Sequence, residues 1–190
     1  MAIDRPRIEA AIREILAAIG ENPERDGLRD TPRRVGEAFG EYFAGVDQSP
    51  LVHLADSESL GDATGELVLL RDIEFRSMCE HHLLPFTGTA HVAYLPGTRI
   101  VGLGRIPRVV ETIASRPQIQ ERLTELIADA LVAGLDPRGV LVVVEASHGC
   151  VAARGARQAK SSTVTLASRG ELADPVQRAE VITLIGESRL

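Results

Sequence analysis

Both cysteines of this chain sit in short segments that also carry histidine, and the two cysteines lie 71 residues apart. The first is Ser77-Met78-Cys79-Glu80-His81-His82-Leu83-Leu84-Pro85-Phe86, and the second is Ser147-His148-Gly149-Cys150. If these thiols and imidazoles serve one centre, the fold must bring the segments together, and that excludes most arrangements of the chain between them. Thiolate and imidazole are donors that zinc prefers, and a catalytic zinc takes three protein ligands and keeps a fourth position open. Cys79, Cys150 and one of His81, His82 and His148 make such a set; spacing alone leaves the choice of histidine open. One buried cysteine would be ordinary core. Two, each beside a histidine, favour a metal centre.

The intervening pattern suits a rigid frame. From Glu66 the chain reads as strand, strand, helix, helix, strand, strand. Residues 67–78 form a strand with Leu67, Leu69, Arg71, Ile73 and Phe75 on one face, and the first Cys/His segment follows at its end. Residues 87–95 alternate as a second strand, Pro96-Gly97 turns the chain, and Ile100-Val101 extends briefly. Helical patterns cover about 105–115 and 118–134; Ile119, Leu123, Leu126, Ile127, Ala130 and Leu131 form the stripe of the second, and Gly134 is expected to close it. The β-branched run 139–146 reads as a buried strand, 163–168 as another, and 175–186 as a last helix opened by Pro175. Strands joined by short turns pair antiparallel, and helices then cover one sheet face. The expected class is α+β.

Ahead of this unit lie two amphipathic helices. One covers 4–20, with Ile8, Ala11, Ile12, Ile15, Leu16 and Ile19 at helical spacing; the other follows the N-cap signal Thr31-Pro32 and carries Val35, Ala38, Phe39, Tyr42 and Phe43. Residues 45–65, rich in Gly, Asp and Ser, read as a linker. The expected division is therefore 1–65, a helical region with linker, and 66–190, the main domain.

The core must be aliphatic, because only six residues are aromatic in a chain that is 44% hydrophobic. No run of about 18 apolar residues could span a bilayer. The charged start Met1 to Pro6 has no apolar signal-peptide region, which points to the cytoplasm. There, two cysteines serve as ligands or free thiols rather than as a disulfide. A net charge of −6 argues against a nucleic-acid partner.

Other residues bear chemistry. Any histidine left over from a three-ligand site could move protons near neutral pH. Gly102-Leu103-Gly104-Arg105-Ile106-Pro107-Arg108 sets glycines and guanidinium groups at a helix start, a setting suited to phosphate, and Arg154, Arg157 and Lys160 could join them. Glu121, after Gln120, is either a favourable first-turn charge or a carboxylate that accepts two N–H bonds from a guanine edge.

In these residues the chain resembles the GTP cyclohydrolase I family. The likeness rests on Ser77 to Phe86, on Arg116-Pro117-Gln118-Ile119-Gln120-Glu121-Arg122-Leu123-Thr124, on Glu145 to Cys150 running on to Arg154-Gly155, and on Thr31-Pro32-Arg33-Arg34-Val35. It extends from about residue 28 to about 180. The resemblance implies the tunnelling fold, with sheets joined around a ring, here with an N-terminal helical extension. It implies conversion of GTP and water to 7,8-dihydroneopterin triphosphate and formate, the first step towards folate and other pterins, in a decamer of two pentamers with sites between subunits. Residue by residue, it implies zinc on Cys79, His82 and Cys150, with His81 near the metal. His148 would protonate the purine at N7, and water made more acidic by the metal would attack C8. Glu121 with Gln120 would hold the guanine edge. Arg105, Arg108 and Arg154 would meet the triphosphate, with Arg34 reaching in from another subunit.

Three positions depart from the family pattern. Gly104-Arg105 stands where Ser-Lys is usual, Gln158-Ala159-Lys160 where Lys-Pro-Gly is usual, and Gly149 replaces a larger residue. Arginine keeps a phosphate cation with different geometry; glycine supplies no hydroxyl near the ribose. Two other readings remain at this point: a related enzyme with an altered product or nucleotide, and a non-catalytic scaffold with a four-ligand structural zinc.

Overall fold

The computed structural model describes residues 3–61 and 65–186. Met1 and Ala2, residues 62–64 of the expected linker and residues 187–190 of the expected main domain lie outside the described residues. The elements in order are α1 (Arg5–Ala18), α2 (Thr31–Tyr42), a 3₁₀ turn (Pro50–His53), β1 (Ser57–Ser59), β2 (Val68–Cys79), β3 (Pro85–Leu95), β4 (Arg99–Val101), α3 (Arg105–Ala114), β5 (Pro117–Gln118), α4 (Gln120–Leu135), β6 (Gly139–His148), α5 (Gly149–Ala152), β7 (Thr163–Gly170), a second 3₁₀ turn (Glu171–Ala173) and α6 (Pro175–Gly186). The order expected from residue 66 holds, with strand ends moved by one or two residues.

Five strands form one sheet in the order β5-β2-β3-β6-β7. β2, β3, β6 and β7 pair antiparallel, while β5 lies parallel beside the end of β2. β5 is too short to show a period-two pattern, and sequence periodicity misses it. α3 and α4 lie against one face. There Phe75, Val92, Tyr94, Val140, Val142 and Val144 meet Ile106, Val109, Ile113, Leu123, Ile127 and Leu131 in an aliphatic core. Each such fully buried side chain contributes about 1.5–3 kcal/mol of transfer free energy. α6 adds a smaller contact on the other face, where Val181 packs with Ala93, Leu141 and Leu172.

Three expectations need correction. The alternation from Leu67 to Phe75 does not stay on one face. Pairing slips between Leu70 and Ile73, and Asp72 takes a positive φ of 56°. An extra residue in a strand reverses which side chains face the core. Leu67 and Leu69 therefore join the α6 side, while Val68 and Leu70 pack with Ile73 and Phe75. Next, α4 is closed by Asp136 in the left-handed region, with its N–H on Val132 O, and not by Gly134. Gly134 is needed for close approach instead: a Cβ there would stand 2.4 Å from Leu54 Cδ1. Finally, Thr31 is the first residue of α2, Asp30 precedes it, and no side chain caps this end.

The expected linker is also built into the fold. Leu54 is 1% exposed within the main core. β1 pairs with β4, Gly45 N–H donates to Ser115 O, and Arg116 donates to Gly45 O and Gln48 O. Among the described residues, no helix is long and apolar enough to cross a membrane.

Candidate functional site

Strand register brings the two Cys/His segments together. Ser77 pairs with Phe86 across β2 and β3, and Phe86 pairs with His148 across β3 and β6. Three neighbouring strand ends thus meet at one edge of the sheet. The loop from Glu80 to Leu84 folds back on β2: Cys79 N–H donates to Leu84 O, and Leu83 N–H, at φ 50°, donates to Cys79 O. Beyond β6 the chain turns into the short α5, which carries Cys150. Gly149 permits that turn, since a Cβ would lie 2.7 Å from Pro85 O.

The ligand atoms of Cys79, His82 and Cys150 lie within 4.8 Å of one another, the only such group of three among the described residues. The geometry chooses His82 from the three histidines that spacing allowed. Cys79 is buried, Cys150 half-buried and His82 exposed, so the group opens on one side. Burial pushes the Cys150 thiol up, and the neighbouring Cys79 adds to this. Two close thiolates need a cation between them. Two sulfur donors, one imidazole and an open side fit zinc.

His148 is held on two sides. Its ring stacks on Phe86, centroids 4.7 Å apart and planes 8° from parallel, and its Nε2 lies 2.7 Å from Gln120 Oε1. Burial holds the imidazole below its ordinary value, and the negative charge of Glu121 works against that shift. Glu121 is therefore electrostatically close to His148, as well as being the acidic residue of the first turn of α4. β5 puts it there: Cys79 pairs with Gln118, Glu80 N–H donates to Gln118 O, and α4 starts two residues on. Ser77 Oγ, fully buried, donates to Ala114 O at 2.6 Å and ties the end of α3 to the same edge.

Gln120 was expected to share the guanine edge with Glu121. Its side chain is buried at 2% exposure, and its amide is committed to Val144 O, Thr163 O and His148. Sequence reasoning missed this role, as it missed Phe86 and the ion pair of Arg122 with Glu80 at 2.8 Å. Nothing in residue spacing marks a buried amide as a histidine partner.

The cationic residues divide. Arg154 acts on the charge of Cys150 and belongs to this edge. His81 is exposed beside His82, with ring centroids 6.3 Å apart. Arg105 starts α3 at its far end, nine residues and roughly 14 Å along the axis from Ala114, where it pairs with Asp56 at 3.0 Å. Arg108 lines a cavity of about 340 Å³ with Glu41, His53 and Glu111. Arg34 is exposed and pairs with Asp30 at 3.6 Å. Arg105 is thus set back from the Cys/His edge along α3.

Fold and site together define an α+β protein with a Cys-His-Cys group at one edge of its sheet. The sequence profile of the family GTP cyclohydrolase I matches residues 8–186, and the chain belongs to that family. A GTP cyclohydrolase 1 of Leifsonia xyli is 61% identical over 183 residues, 96% of this chain and 96% of that protein. Proteins of the same name from Rhodopirellula baltica and Streptomyces griseus are each 52% identical, over 98% and 97% of this chain and 81% and 92% of their own lengths. The chain is accordingly a hydrolase of this family.

Proposed function

We propose that this chain converts GTP and water to 7,8-dihydroneopterin triphosphate and formate, with zinc held by Cys79, His82 and Cys150. The observation that carries the reading is the convergence of these three donors beside His148, with Glu121 at the start of the neighbouring helix. Bound there, zinc supplies Lewis-acid activation of water for attack at C8 of the purine. His148 donates a proton to N7 as C8 is attacked. His81, exposed next to His82, relays protons at the open side. Glu121 accepts two N–H bonds from the guanine edge, and Arg154 meets the triphosphate.

Arg105 and Arg108 meet the triphosphate with Arg154, and Arg34 reaches in from a neighbouring copy. The family resemblance supports a homo-oligomer, a decamer of two pentamers. The exposed Val164 and Leu166 on the edge strand β7 offer a place for sheets to join. The cytoplasm is the proposed compartment, and residues 1–65 and 66–190 are the proposed helical extension and catalytic domain, the first joined to the core of the second through Leu54 and β1.

The test is mass spectrometry of products from purified, zinc-loaded protein and GTP, with a chelator-treated control. Formate with dihydroneopterin triphosphate, lost on chelation, is the expected result. Accumulation of a ring-opened nucleotide would refute the complete conversion and point to Gly104, where the ribose hydroxyl partner is missing. No reaction of GTP would refute the reading.

A further inference from the structure

We propose that Gln120 is a positioning residue that holds His148 in a single tautomer, with hydrogen on Nε2, so that Nδ1 is the lone-pair nitrogen of the ring. The use of this proton rests on the function proposed above; the tautomer itself does not.

Several atoms around Gln120 have only one hydrogen-bonding role. The side-chain nitrogen of Gln120 lies 3.0 Å from Val144 O, 2.8 Å from Thr163 O and 3.2 Å from Thr165 Oγ1. Two of these three are backbone carbonyls, which can only accept. The amide end that faces them must therefore be the NH₂ group. Rotating the amide by half a turn would set its oxygen against two carbonyl oxygens in a buried place, where unpaired polar atoms are costly. With the nitrogen so fixed, Oε1 is the atom that faces His148 Nε2 at 2.7 Å. An amide oxygen accepts only, so Nε2 must carry hydrogen. A neutral imidazole has one N–H, and Nδ1 is then the lone-pair nitrogen.

The surroundings stop both partners from turning. Gln120 opens α4 at 2% exposure, and Thr124 Oγ donates to its carbonyl at 2.8 Å. The Thr124 and Thr165 hydroxyls meet at 2.6 Å and close the network across to β7. The imidazole lies flat on Phe86, itself 1% exposed and packed edge-on to Phe75 with centroids 5.9 Å apart. Flipping the ring would put carbon where Nε2 stands and leave Gln120 Oε1 without its donor. Core amide, stacked ring and strand register thus select one nitrogen. This explains why Gln120 is turned inward while its neighbour Glu121 is exposed.

The decisive experiment is neutron diffraction from deuterium-exchanged crystals of the full, zinc-loaded protein without substrate, at about pH 8, above the ordinary histidine range. Deuterium on His148 Nε2 and none on Nδ1 is expected. Deuterium on Nδ1, alone or together with Nε2, overturns the proposal. This map needs no turnover, so it separates a wrong tautomer from a wrong function. Steady-state kinetics of Gln120→Met with GTP then tests positioning. The variant is expected to lose about tenfold or more in kcat with KM within about twofold, the sign of an interaction that matters in the transition state. A raised KM with unchanged kcat would overturn the positioning role and make Gln120 a reader of the base. If Gln120→Met does not fold, the neutron map of the unaltered protein still decides.

Discussion

Gly88→Ala should damage both fold and site, and the structure sets the size of the effect. Gly88 lies in β3, opposite Ala146 of β6 and two residues from Phe86, which pairs with His148. A Cβ at Gly88 would stand 1.9 Å from Glu145 O, 2.7 Å from Ala146 Cα and 2.9 Å from Ala146 Cβ. Nonbonded heavy atoms settle at about 3.5 Å or more, so β3 and β6 would have to part by more than about 1 Å. Two of the obstructing atoms are backbone, and rotamer changes cannot relieve them. Overpacking of this kind costs about 1–3 kcal/mol, and each ladder hydrogen bond lost adds about 1 kcal/mol. The expected loss is about 2–4 kcal/mol, read from urea unfolding at fixed protein concentration. Zinc affinity, read by competition with a chromogenic chelator, should fall about tenfold or more, as when the support of a metal ligand is disturbed. Gly104→Ala is the matched control. Gly104 has helical angles, φ −67° and ψ −9°, and its added Cβ meets nothing within 4 Å. It should be neutral or gain up to about 1 kcal/mol through the unfolded state. Equal unfolding midpoints for the two variants would refute the steric reasoning.

Leu54→Ala should cost about 2–5 kcal/mol, because the side chain is 1% exposed in the main core; a loss below about 1 kcal/mol in urea unfolding would return residues 45–61 to the status of a linker. Arg122→Ala should change stability by less than about 1 kcal/mol, since the pair with Glu80 is largely exposed, yet lower zinc affinity by loosening the Cys79 loop; unchanged chelator competition would count against that. Tyr94→Phe should flatten the alkaline limb of the stability profile. Burial raises the Tyr94 hydroxyl above its ordinary 10.0, so the folded state keeps a proton that the unfolded chain has lost. The contribution is whole below the unfolded value and is lost as pH rises through the folded one. A variant that declines as steeply as the parent in that range would contradict this.

The elements were legible where a repeating physical pattern was long enough to read. The aliphatic stripe of α4 and the β-branched run of β6 each carry a buried face of several residues. The misses fall where the pattern is interrupted or has no side-chain signature. The slip after Leu70 changes which residues face inward without altering composition. β5 is two residues long and exists because the end of β2 offers an unpaired edge. Leu54 sits in a stretch whose average character is polar, and one buried leucine cannot outweigh its neighbours in a composition argument.

The site divides along the same line. Donor chemistry could be read directly, because thiol and imidazole side chains announce their use and two segments contained both cysteines and three of the five histidines. Choosing among His81, His82 and His148 required the loop at Leu83 and the pairing of Phe86 with His148, both consequences of backbone register. Gln120 shows the limit most clearly. In sequence it is a polar residue beside Glu121 at a helix start, and polarity suggests a ligand. In the fold it is the first residue of α4 facing β6 and β7, and its two amide hydrogens meet carbonyls of both strands. A buried amide with both donors taken by the backbone has only its oxygen left, and that oxygen acts on the histidine. The specificity of the proton-carrying nitrogen thus comes from sheet geometry, which no residue type encodes on its own.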